Sequence, residues 1–170
     1  MSIARSRRTR PLLLPAAVAV LGLFAACGGG SGGETTTPQA SDPATETFAS
    51  SLGVDLASMT KLSPDLYIKD VTVGSGAVPV TADSIIVTYT GWLANGTQFD
   101  SNVGGSPFTF SLGTGEVIRG WDQGLAGMRV GGTRLLVIGS ALGYGPAGRA
   151  TIPPNATLVF TVQLTGIKPR

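Results

Sequence analysis

Histidine is missing from all 170 residues, and its absence removes a His-based triad, an imidazole metal site and the commonest general base together. Cysteine occurs once, as Cys27, so no internal disulfide can form. Charge is sparse, 13% of residues, and unevenly placed: Arg5, Arg7, Arg8 and Arg10 crowd the N-terminus, whereas every acid lies at or after Glu34. With those four arginines set aside, eight basic residues face ten acids, so the body is mildly acidic although the whole chain has a pI near 9.0. A nucleic-acid partner is therefore not expected. No glycine-rich phosphate loop ends in Lys, and Asp100, Glu116 and Asp122 lack the spacing of a metal site, so neither metal nor cofactor is expected.

What is present begins with an export pattern. Residues 1–26 pair the Arg-rich start with the apolar run from Leu12 to Phe24, too short for a comfortable membrane span, and end in small residues. Phe24-Ala25-Ala26-Cys27 resembles a bacterial lipobox, with Phe24 where Leu is usual. That resemblance implies cleavage before Cys27, its lipidation, and anchoring to a bacterial membrane on the periplasmic or cell-surface side. The competing reading is an uncleaved N-terminal anchor. Residues 27–47 hold Gly, Ser, Thr, Pro and Ala without a large apolar side chain, the composition of a flexible tether reaching on the order of 25 Å. Residues 48–61 form a short accessory segment in which Phe48, Leu52, Leu56 and Met59 fall at helical spacing, a helix that Gly53 and Val54 weaken. More linker is the alternative there.

The folded body is expected from Leu62 to the C-terminus, residues 62–170. Period-two patterns predict strands at Leu66–Val73, Ser84–Leu93, Phe108–Leu112, Thr133–Ile138 and Thr157–Ile167, with Ile85, Val87 and Tyr89 sharing one face and Leu158, Phe160, Val162 and Leu164 another. Asn95-Gly96 is the strongest hairpin signal. One short, Gly-punctuated helix is expected around Trp121, and Gly139 to Ala156 is a long loop. The fold class is α+β: a curved antiparallel sheet covering one short helix.

The chemistry concentrates in aromatics: Tyr89, Phe99, Phe108, Phe110, Trp121, Tyr144 and Phe160 each stand at a strand end, in a loop or at the helix start. Trp121 reads either as the largest core residue or as the floor of a concave apolar site. Phe110 reads as core, because alternation points it to the layer beneath.

The segments Val87–Gly91, Asn95–Ser101, Pro107–Phe110, Glu116–Trp121, Gly127–Gly132, Gly143–Gly145 and Ile152–Phe160 resemble, in order and nearly without gaps, the FKBP-type peptidyl-prolyl cis-trans isomerases. The resemblance implies a five-stranded antiparallel half-barrel around one helix, and rotamase activity on X-Pro bonds in exported polypeptides. It implies that Tyr89, Phe99, Asp100, Ile118, Trp121, Tyr144 and Phe160 act in catalysis, and that Phe108, Glu116, Val117 and Ile152 complete substrate binding. The Ile118 amide and the Tyr144 hydroxyl would bind carbonyls. Macrolide inhibitors are implied as ligands, and the protein is expected to work as a monomer held to the membrane through Cys27. Val103-Gly104-Gly105 stands where a basic partner for Asp100 often lies, and Arg149 and Thr151 occupy a loop tip that commonly differs. The alternative is a tethered chaperone or peptide-binding module using the same cleft without significant catalysis; isomerisation of a Phe-Pro peptide separates the two.

Overall fold

The computed structural model describes residues 41–168. Cys27, the leader and the tether up to residue 40 lie outside them. The alternation of Leu158, Phe160, Val162 and Leu164 is realised in the longest strand, where these four side chains are buried on one face. Seven strands make one antiparallel sheet: β1 (Thr60–Ser63), β2 (Leu66–Thr72), β3 (Ser84–Leu93), β4 (Gln98–Ser101), β5 (Phe108–Ser111), β6 (Thr133–Ile138) and β7 (Leu158–Lys168). Their order is β1-β2-β6-β7-β3-β4, and β5 also pairs with β3. β4 opposes the end of β3 at Thr90–Trp92 and β5 its start at Ser84–Val87, so the two occupy one lane in turn. Counted so, the expected five lanes are present and β1 adds a further one beyond β2.

Asn102 bridges the gap between β4 and β5. Its Oδ1 accepts the Tyr89 amide at 2.7 Å, and its Nδ2 donates to the Val87 carbonyl at 3.1 Å, replacing ladder bonds that a continuous strand would make. The Asn95-Gly96 reversal forms as expected, with Gly96 at φ +88° and its amide donating to Leu93 O at 2.9 Å.

β6 carries apolar residues at consecutive positions because both of its faces are covered. Leu136 and Ile138 join Leu66, Ile85, Val87, Leu158 and Phe160 in the inner core, whereas Leu135 and Val137 join Met59, Tyr67 and Val159 in an outer one. The outer cluster is closed by Phe48, Leu52, Val54 and Leu56. These residues do not form the helix that their spacing suggests. Gly53 turns left-handed at φ +61° and ends a 3-10 turn at Ser50–Leu52, and Asp55 caps a second at Leu56–Ser58. The segment becomes a strap whose apolar side chains meet the sheet. Ordered contacts reach back past Leu62 into the stretch read as tether: Pro43 is fully buried, and the Thr157 hydroxyl lies 2.9 Å from Ser41 Oγ and 3.2 Å from Glu46 Oε2.

Helix α1 (Arg119–Gly124) lies against β6 on the inner face. A Cβ on Gly120 would stand 2.5 Å from Ile138 Cγ2, and one on Gly124 would stand 2.5 Å from Leu136 Cδ2. Only glycine lets the helix approach this closely, and that approach sets the depth at which Trp121 sits.

Candidate active site

Trp121 is both of the things its sequence allows. Its side chain is 4% exposed and belongs to the inner core, yet it also lines a cavity of about 660 Å³. Aromatic rings from three strands meet it edge-on or tilted: Tyr89 from β3 at 5.0 Å between centroids, Phe160 from β7 at 5.2 Å and Phe110 from β5 at 5.7 Å. Such packing holds the indole in one orientation. Phe110 is 3% exposed and absent from the cavity wall, as its alternation predicts, whereas its stacked neighbour Phe108 is 40% exposed and stands on that wall.

The approach to α1 is shaped by Asp122. Its two oxygens accept the amides of Gly113 at 2.8 Å and Gly115 at 2.9 Å, folding 113–118 back over the helix start. Glu116 accepts the Ser111 amide at 3.0 Å, and this hydrogen bond holds its carboxyl below the usual carboxylate pKa. Val117 and Ile118 then reach the cavity wall. The Ile118 carbonyl accepts from Trp121 and Asp122, but its N–H has no acceptor among the described residues.

On the opposite side, the Tyr89 hydroxyl donates to Asp100 Oδ2 at 2.6 Å. Burial first, and then the carboxylate beside it, push the Tyr89 pKa far above that of an ordinary phenol. The pairing of β3 with β4 slips between Gly91 and Trp92, leaving Phe99 as an extra residue. This bulge lets the consecutive residues Phe99 and Asp100 both line the cavity. Gly91 makes the room: a Cβ there would lie 2.7 Å from both Phe160 Cε1 and Phe99 Cζ.

The remaining wall is the 139–157 connection. Tyr144 is half-buried, and its hydroxyl makes no hydrogen bond among the described residues. Arg149 and Ile152 exchange backbone hydrogen bonds of 3.0 and 2.8 Å around the tip Ala150–Thr151, with Ala150 at φ 50°. All eleven residues proposed from sequence for the pocket line this one cavity, and Arg149, Ala150 and Thr151 complete it. Ala150, Gly91 and Asn102 gave no chemical signal in the sequence.

The pattern of the FKBP-type peptidyl-prolyl cis-trans isomerases matches residues 76–165. The chain belongs to that family. The FK506-binding protein of Neisseria meningitidis serogroup A is 50% identical to this FKBP domain over 101 residues, 58% of the chain and 93% of that protein. FK506-binding protein 4 of Rhizopus delemar is 50% identical over 111 residues, 65% of the chain, but the chain spans only 29% of that relative's length. Among solved structures, FkpA from Escherichia coli is similar at a TM-score of 0.61 and 41% identity, over 66% of the chain and 52% of that protein. AtFKBP13 is similar at 0.57 and 39% identity, over 61% and 93%. The FKBP domain thus follows the solved members in fold, and its cavity lies within the matched segment.

Proposed function

We propose that this FKBP domain accelerates cis-trans rotation about X-Pro peptide bonds, with Trp121 under the proline ring. The observation carrying the reading is the cavity itself: six aromatic residues on its floor and walls, with the Ile118 amide and the Tyr144 hydroxyl among the donors there that have no acceptor among the described residues. Rotation needs no proton transfer. The barrier of about 18–20 kcal/mol is the loss of amide resonance, and the twisted amide has a pyramidal nitrogen and a less polar carbonyl than the planar one. Water favours the planar form, and an apolar cleft removes that preference. Donors fixed on flanking carbonyls hold the chain while the bond turns.

The same cleft is suited to a macrolide of the FK506 type, as the names of the relatives suggest. The substrates we assign are proline-containing polypeptides outside the cytoplasm, met by a protein tethered through a lipid on Cys27; the leader, lipobox and tether composition support this. NMR exchange of a short Phe-Pro peptide tests the catalysis: acceleration is expected, and binding without acceleration would favour a peptide-holding module. Membrane fractionation of the wild type and Cys27→Ser tests the anchor. The serine variant should become soluble with its isomerase rate intact.

A further inference from the structure

Arg149 is the one basic side chain on the cavity wall, and nothing among the described residues answers its charge. The two carboxylates on that wall are engaged elsewhere, Asp100 by the Tyr89 hydroxyl at 2.6 Å and Glu116 by the Ser111 amide at 3.0 Å. The guanidinium carbon lies instead 5.7 Å from the Tyr144 ring centroid. A cation–ring contact takes up none of the guanidinium N–H donors, and among the described residues they have no acceptor.

The point from which Arg149 extends is built into the backbone. Arg149 is pinned to Ile152 by hydrogen bonds in both directions. Gly148, at φ +64°, packs so closely that a Cβ would stand 2.4 Å from Ile152 O. Arg149 is therefore presented from a held tip, beside the tyrosine whose free hydroxyl faces the substrate carbonyl in the reading above.

We propose that Arg149 makes this isomerase prefer X-Pro bonds flanked by an acidic side chain, an inference that rests on the isomerase reading. A carboxylate one residue from the proline finds an attracting fork only at Arg149, the one basic side chain on the wall, whereas beside Asp100 or Glu116, on opposite walls, it meets another acid. An exposed pair of this kind gives about a two- to fivefold preference, screened by salt.

The test uses peptides with uncharged caps, carrying Glu or Gln immediately before or immediately after proline. NMR exchange is measured with the wild-type protein, Arg149→Gln and Arg149→Lys, and the readout is the Glu/Gln ratio of kcat/KM within each protein. The wild type should favour Glu two- to fivefold at one of the two positions in low salt. The ratio should fall to one in Arg149→Gln and in about 0.5 M NaCl, and return in Arg149→Lys. Equal rates for Glu and Gln at both positions, or a preference that survives in Arg149→Gln, would overturn the proposal. If no peptide is accelerated, the isomerase reading fails instead. The same ratios are then taken from peptide affinities in NMR titration, where the wild-type preference and its loss in Arg149→Gln carry the inference and their absence sinks it.

Discussion

Asp100 stands opposite Gly91 in the β3–β4 pairing, yet its side chain takes the hydroxyl of Tyr89, two residues along, at 2.6 Å. Diagonal neighbours across an antiparallel pair lie within reach of long side chains, and over Gly91 itself the rings of Phe99 and Phe160 take the place a Cβ would need. The hydrogen bond ties the two strands together at the cavity wall, and it keeps a carboxylate and a protonated phenol side by side.

Replacing Tyr89 with Phe should therefore cost about 0.5–1.5 kcal/mol of stability, the value of a hydrogen bond whose acceptor can rehydrate. Asp100 is exposed and does rehydrate. Since a tenfold rate change corresponds to about 1.4 kcal/mol, kcat/KM should drop by no more than about tenfold. Urea unfolding and peptide exchange measure the two, and a hundredfold loss of rate at near-native stability would mean that the phenol contacts the turning amide itself.

Tyr144→Phe should behave differently. The hydroxyl has no partner among the described residues, so stability should hardly move, while macrolide or peptide affinity weakens by about two- to tenfold for one lost hydrogen bond. Calorimetric titration that returned wild-type affinity would place this hydroxyl outside the bound complex.

Gly91→Ala should push both phenylalanine rings. With a Cβ 2.7 Å from Phe160 Cε1 and Phe99 Cζ, overpacking costs about 1–3 kcal/mol, and the direction left for the rings to yield is into the cavity. We expect lower stability together with a raised KM. A variant as stable and active as the wild type would show that neither ring is held in place.

The rate should be flat between about pH 6 and pH 8.5 for a peptide that does not ionise there, because His is missing and the other groups that ordinarily titrate in that window, the terminal amine and the Cys27 thiol, are both blocked in the proposed mature form. Tyr89 strengthens the expectation: its folded pKa lies above its unfolded one, so its contribution to stability is complete below about pH 10 and fades only as pH rises further. Glu116 sits at the other end. Its folded pKa is lowered, so the Ser111 contact stabilises above about pH 4.3 and is lost as pH falls through the folded value. A bell-shaped kcat/KM profile within the flat window would require proton transfer in the reaction.

Strand periodicity, the Asn95-Gly96 reversal and the isolated short helix were legible in the chain because each depends on local geometry: a period of two, a left-handed glycine, a short segment punctuated by Gly. The same holds for the eleven wall residues, which an ordered family resemblance carried as a set. Local spacing failed at Phe48–Met59, where four apolar residues suited a helix but the outer face of the sheet offered larger burial to a strap of 3-10 turns. Nor could spacing show that Gly91 makes room for the rings of Phe99 and Phe160, that Asn102 stands in for a missing strand, or that Arg149 faces the cavity without a carboxylate partner. Those facts arise from pairings between residues distant in the chain, such as β3 with β4, or from a loop folded back over the site. Composition and periodicity decide which faces are buried; only the assembled sheet decides what each buried or exposed group finds beside it.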